Sequence, residues 1–256
     1  MSLSVGTAWD ETAAFARRQA WRLFPIAFFL HALPAAMLRL AAPVTAPGHV
    51  PESGLWLLFV PVVAIVGLIG ALAISRLALR SGESIGAAFA VGLRRLVPLL
   101  GAALLVGLSG AALAVAAILL ARAIAAPMLS AILLLALFAL LVFFWIRLML
   151  LTPAAAVEPI GPVALIRRSW ALTAGNVWLL LGFLLIVAIL SLVVLIAAGA
   201  VGGIAIRLAA GQPQPGTLAL VLVLLVSAVL QALVSGLFTA FVARLYAQLA
   251  GDDPAG

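Results

Sequence analysis

Two histidines and seven acidic residues are all that this 256-residue chain offers for acid–base or metal chemistry, and it contains no cysteine. His31 lies inside an apolar run, where an ionisable side chain is a functional suspect by default. Beside Pro34, a neutral imidazole also serves to satisfy a backbone carbonyl that the proline leaves free, and this structural reading is the plainer one. His49 and Glu52 share a proline-rich stretch at a spacing that holds a metal only with further ligands, none of which is visible; a solvated loop accounts for both. No Ser-His-Asp order, His-Glu-x-x-His helix or phosphate-cradling glycine loop occurs. Without cysteine there is no disulfide, thiol nucleophile or thiolate metal site. The expectation is a protein that is not an enzyme, with no catalytic residue, no metal site and no cofactor.

Two further sets carry polar chemistry. Ser227, Gln231, Ser235 and Thr239 recur at every fourth position and so lie along one slowly turning helix face. A transporter would use such a stripe as a polar path. The alternative is hydrogen bonding between helices, worth about 0.6 kcal/mol per contact. No acid or charge partner joins the stripe, which favours the structural reading. The second set is three arginine pairs, Arg17-Arg18, Arg94-Arg95 and Arg167-Arg168, the last followed by Trp170. Guanidinium groups and an interfacial tryptophan fit anionic lipid headgroups, either as topological anchors or as a headgroup-specific site, with the anchor the plainer reading.

The elements that place these residues are set by composition. The chain is 67% hydrophobic and only 8% charged, far from the roughly one quarter charged of soluble domains. Charged residues leave six long charge-free intervals, 23–38, 53–75, 96–121, 123–146, 169–206 and 208–243. Crossing about 30 Å of hydrocarbon takes roughly 20 apolar residues, and the last five intervals supply them. The first is short and spans only if Trp21 and Arg39 sit in the two interfaces. Six membrane spans in an all-α protein are therefore expected. A net charge of +7 is compatible with nucleic acid, but the arginines punctuate the spans instead of covering one face of a soluble domain, which excludes that partner. Membrane lipids are the partners expected.

The arginine pairs also mark a threefold pattern. Each ends a moderately amphipathic stretch that begins with an acid, Glu11, Glu83 or Glu158, and two apolar spans follow each pair. The second span of each unit closes on Arg-Leu, at Arg76-Leu77, Arg147-Leu148 and Arg244-Leu245. The pattern predicts one membrane domain of three units, roughly 7–80, 81–151 and 153–248, with a short polar tail over 249–256. Each unit is a surface helix, a span out and a span back, the acid favouring the helix start and the arginines its end. In the second unit Ile85, Phe89, Gly92/Leu93 and Leu96 share a face. Thr7-Ala8-Trp9-Asp10 matches a capping box at the start of the first.

Topology follows from the charges. Arg17, Arg18, Arg22, Arg76, Arg80, Arg94, Arg95, Arg147, Arg167, Arg168 and Arg244 fall on one side, and only Arg39, Arg122 and Arg207 on the other. The positive-inside tendency makes the richer side cytoplasmic and puts both termini there. Arginine without lysine, with heavy alanine and leucine use, looks like a GC-rich bacterial genome, so the expected location is a bacterial inner membrane. The acidic stretch of about 20 residues before the first apolar run is unlike a signal peptide, and the segment is expected to be retained. Small residues at Gly67/Gly70, Gly107/Gly110, Ala198/Gly202 and Gly199/Gly203 offer sites of close helix approach, the last as a G-x-x-x-G.

One stretch carries a family resemblance. Pro153 and Glu158 follow a span, then Ala164-Leu165, Arg168-Ser169-Trp170, Leu172-Thr173 and Gly175-Asn176 lead into a new span. Over residues 153–182 this resembles the membrane domain of bacterial glycerophosphoryl diester phosphodiesterases and related multi-span proteins. The resemblance implies an all-helical domain of about six spans, fused in some members to a soluble barrel that hydrolyses glycerophosphodiesters. That barrel needs paired histidines and metal-binding carboxylates, which this chain does not have, so no catalytic residue carries over. The function expected is that of a non-enzymatic polytopic membrane protein accessory to lipid or envelope metabolism, with a small-solute or lipid permease as the alternative.

Overall fold

Nine α-helices carry the chain in the computed structural model, which describes residues 5–42, 53–80, 82–124, 126–214 and 216–251. Among the described residues there is no strand. The helices are α1 (Val5–Ala27), α2 (Leu33–Ala41), α3 (Phe59–Leu79), α4 (Ile85–Ala123), α5 (Pro127–Leu148), α6 (Leu151–Val157), α7 (Pro162–Thr173), α8 (Val177–Ala210) and α9 (Leu218–Ala250). Six helical stretches are long and apolar enough to cross a membrane: Trp9–Ala41, Leu55–Leu79, Ile85–Ala123, Pro127–Val157, Val177–Ala210 and Leu218–Ala250. This is an all-α polytopic membrane protein.

The joints between surface stretch and span differ along the chain for local reasons. α1 bends at Gln19, whose backbone leaves the helical region at φ −123°, one residue after the first arginine pair. α7 and α8 are separated by a full turn, in which Gly175 takes φ +82° and Asn176 leads into α8. Only glycine enters that left-handed region without a Cβ penalty, so Ala174-Gly175-Asn176 is where the chain can turn. In between, none of the glycines of α4 takes a positive φ, and the helix runs unbroken for 39 residues through Gly92 and Pro98, so surface stretch and span form one helix about 58 Å long. There Ala88 and Gly92 are buried, with the Gly92 backbone against the Ile69 carbonyl, whereas Ile85, Phe89 and Leu93 look outward. Ser84 caps this helix, its hydroxyl accepting from the Ala87 amide. The Thr7 pattern does not cap α1, because that helix already begins at Val5.

The first span is broken. Residues Phe28–Ala32 form one π-helical turn between α1 and α2. Pro34 lacks an N–H and its ring crowds the carbonyl four residues earlier, and a wider turn is one way a helix absorbs that. Gly70 of α3 makes room for it. A Cβ there would stand 2.8 Å from the Leu30 Cβ and 3.1 Å from the His31 ring.

Packing is concentrated at the arginine-rich end. Leu72, Leu150, Leu165, Leu180, Phe241 and Tyr246 form the main core, and Phe183 stacks on Phe241 at 4.1 Å. At its centre lies α6, with Leu151, Pro153, Ala154, Ala155 and Ala156 all buried. Away from that end the helices are dressed for lipid. α5 buries only Ile146 and α8 only Leu180, while Leu104 to Leu120, Met128 to Phe144 and Leu185 to Leu208 present large apolar side chains outward.

Candidate functional site

The stretch Leu165–Asn176 builds a socket at the arginine-rich end, and Arg147 of α5 fills it. Arg147 Nη1 donates to the Trp170 carbonyl at 3.0 Å, and its guanidinium carbon lies 4.6 Å from the Trp170 ring centre and 5.5 Å from that of Phe143. Phe143 and Phe144 hold the indole from the side, at 5.9 and 5.5 Å. The same residue is gripped from its backbone. The last carbonyls of α5 have no intrahelical donor, and the Ser169 hydroxyl donates to the Arg147 carbonyl at 2.7 Å. Ser169 and Thr173 are fully buried, and the Thr173 hydroxyl donates to the Ser169 carbonyl at 2.9 Å. Charge on the guanidinium also complements the negative end of α5.

Two other span-end arginines are seated in related ways. Arg76 Nε donates to Glu83 Oε2 at 2.7 Å, and its Nη1 reaches the Ala156 carbonyl of α6 at 3.3 Å. Arg244 lies over the Phe15 ring of α1 at 5.2 Å, with Glu11 near enough to attract it without a contact ion pair. Glu158 forms the remaining cluster: it accepts from Arg168 Nε at 2.8 Å and from the hydroxyl of Tyr246, the one tyrosine in the chain. The hydrogen bond to Glu158 holds the Arg168 pKa above its ordinary value, against the opposing effect of partial burial. Arg168 therefore stays charged at any physiological pH.

These contacts redistribute the residues expected to meet headgroups. Arg17, Arg18, Arg94 and Arg167 are exposed and Arg95 is half-buried, all free of ion pairs among the described residues, as anchors require. Arg168 and Trp170 are instead committed, one to Glu158 and the other to Arg147. Tyr246 and the buried α6 are the parts that sequence reasoning missed. A lone tyrosine directly after Arg244-Leu245 was the available signal for the first.

The polar stripe divides in two. Ser235 and Thr239 spend their hydroxyls on their own helix, on the Ala232 and Ser235 carbonyls at 3.4 and 2.8 Å. Ser227 and Gln231 make no hydrogen bond among the described residues and face Arg39 across a cleft. His31 packs on Gly67 and Gly70 of α3, and its buried Nε2 has no partner among the described residues. His49 and Glu52 lie outside the described residues. Among the described residues no group of three or more histidines and acids could hold a metal.

The glycines expected at helix contacts also divide. Of them Gly70 stands at a close approach; so do Gly92, Gly101 and Gly236, which were not among those expected, and a Cβ at Gly101 would stand 2.9 Å from the Pro162 ring. Gly107, Gly110, Gly199 and Gly203 face open space, so the G-x-x-x-G of α8 lines a cavity instead of a helix seam. Gly107 and Gly110 border an apolar groove of about 620 Å³ between α4 and α5. Its floor is Leu151 of α6 with Ile166 and Trp170 of α7, so the Arg147 socket forms its lower rim. A second apolar groove, about 290 Å³, runs between α8 and α9 beside Phe183 and Phe241.

Six apolar helices closed at one end by arginine sockets, with apolar grooves between them, define a multi-pass membrane protein. The chain belongs to the DUF7847 family, a domain of unknown function whose profile matches residues 6–249. No curated protein and no solved structure matches the chain.

Proposed function

We propose that this is a non-enzymatic membrane protein, accessory to lipid or envelope metabolism, that holds a phospholipid at its arginine-rich face. The observation that carries the reading is the groove between α4 and α5. Its walls are almost wholly apolar, its volume of about 620 Å³ suits an acyl chain, and it ends at Trp170, on which Arg147 stacks. The exposed arginines 17, 18, 94 and 167 then meet anionic headgroups at the same level. In this reading the arginine-rich face is cytoplasmic, both termini lie there, and the membrane is a bacterial inner membrane. The three units are internal repeats joined in a ring. Arg76 meets the start of the second unit, Arg147 the surface helix of the third, and Arg244 returns to that of the first. The likeness to the phosphodiesterase membrane domain supports a place in lipid metabolism and lends no catalytic residue.

Purification in native lipid followed by mass spectrometry tests the reading. Retention of one defined phospholipid is the expected result. A defined protein partner with no retained lipid would turn the account toward a scaffold. One observation favours a permease as the second reading: the first span is broken by a π turn at His31 and Pro34, as in transporters with discontinuous helices. Uptake of a solute into vesicles containing the chain alone would establish that alternative.

A further inference from the structure

Arg39, Ser227 and Gln231 converge on two adjoining clefts at the end of the molecule opposite the arginine sockets. The larger, about 250 Å³, lies where α2 meets α8 and α9, several times the roughly 30 Å³ of one water. It exists because α8 carries Gly199 and Gly203 there, whose Cβ positions meet nothing within 4 Å, while a Cβ at Gly202 would stand 3.5 Å from Val226 of α9. Side chains at those glycines would fill it.

The depth of the cleft follows from helix geometry. Arg39 lies about 30 Å of helix beyond the kink at Gln19, close to the hydrocarbon thickness of roughly 30 Å. Gln231 and Ser227 lie about 20 and 25 Å of helix from Arg244. The cleft therefore sits just inside the far boundary of the membrane. None of its three polar side chains makes a hydrogen bond or ion pair among the described residues, although other membrane hydroxyls here bond to their own helix. The described acids, Asp10, Glu11, Glu83 and Glu158, all lie at the other end. A guanidinium, an amide and a hydroxyl thus face one cavity with unused donors and a positive charge. The remaining walls, Leu195, Ile206, Val223, Val226 and Leu230, are apolar.

We propose that this cleft binds the phosphate group of an anionic phospholipid in the far leaflet. Arg39 grips two phosphate oxygens in its planar fork, which suits a guanidinium better than an ammonium. Gln231 and Ser227 supply the remaining donors. The glycerol and first acyl carbons lie on the apolar wall of α8 and α9. Entry is lateral, since Leu195 and Val226 at the rim are themselves exposed. This site is separate from the α4–α5 groove, and the two stand or fall independently.

The test is native mass spectrometry of the intact chain released from nanodiscs of equal phosphatidylglycerol and phosphatidylcholine. Wild type is expected to retain phosphatidylglycerol preferentially, and Arg39→Gln to lower that preference about tenfold. Gly199→Leu, which fills the cleft without touching a charge, is expected to do the same. Arg207→Gln removes an exposed arginine at the same end and is expected to leave the preference unchanged. Equal effects of Arg39→Gln and Arg207→Gln would overturn the site. Delipidated protein titrated with inorganic phosphate separates the sources: thermal stabilisation there, lost in Arg39→Gln, would replace the lipid by a free anion and overturn the proposal.

Discussion

Ser169→Ala isolates the physical basis of the socket, because one hydroxyl joins α7 to the last turn of α5. Its oxygen lies 2.7 Å from the Arg147 carbonyl, and Ser169 is fully buried. Removing it strands a carbonyl that no helix amide reaches, at a cost of about 1 to 3 kcal/mol in proteins generally. Interhelical hydrogen bonds in membranes average about 0.6 and reach about 1.7 kcal/mol. Thr173 also faces this carbonyl, at 3.4 Å, and takes up part of the loss. The expected destabilisation is therefore about 1 to 1.5 kcal/mol. Ser109→Ala supplies the control, since that hydroxyl also donates over 2.7 Å, but to Leu105 of its own helix and in an exposed position. There the loss is expected to stay below about 0.5 kcal/mol. Equilibrium unfolding in bicelles, followed by steric trapping, measures both. Equal destabilisation by the two substitutions would refute the argument that the Ser169 contact holds α7 to α5.

Other outcomes follow from the same geometry. Gly175→Val forces a β-branched residue to φ +82° and is expected to cost about 1 to 2 kcal/mol, read as a lower thermal midpoint in detergent. Tyr246→Phe takes one donor from Glu158 while Arg168 remains, so unfolding is expected to become easier by about 0.5 to 1.5 kcal/mol. Topology is open to a reporter joined after Gly251 that works only outside the cytoplasm; it is expected to be silent, and activity would reverse the assignment of the arginine-rich face.

The spans were legible in the sequence because charge is expensive in hydrocarbon and therefore marks their ends. Arg76, Arg147 and Arg244 stood out by that rule. Their partners did not, because the Arg147 socket joins residues more than 20 positions apart and its key acceptor is a backbone carbonyl. The turn at Gly175 could be read from residue type, whereas the unbroken α4 could not, since Gly92 and Pro98 flank Arg94-Arg95 and would suggest a break that the helix does not make. Small residues misled for a related reason. Gly70 and Gly199 look alike in sequence, yet one is pressed against Leu30 and the other borders empty space. Only the path of the neighbouring helix separates a seam from a cavity. The polar stripe on α9 divided for the same reason: Thr239 hydrogen-bonds to its own helix, and Gln231 shares a cleft with Arg39.

The measurement closest to the central claim counts phospholipid on the chain when the α4–α5 groove is filled. Gly107 and Gly110 have free space at their Cβ positions, so the paired substitution Gly107→Leu and Gly110→Leu occupies the groove without a clash against the backbone. Native mass spectrometry of wild type and variant, purified alike, is expected to show one phospholipid fewer on the variant, with its thermal midpoint retained. An unchanged lipid count on a folded variant would contradict the account.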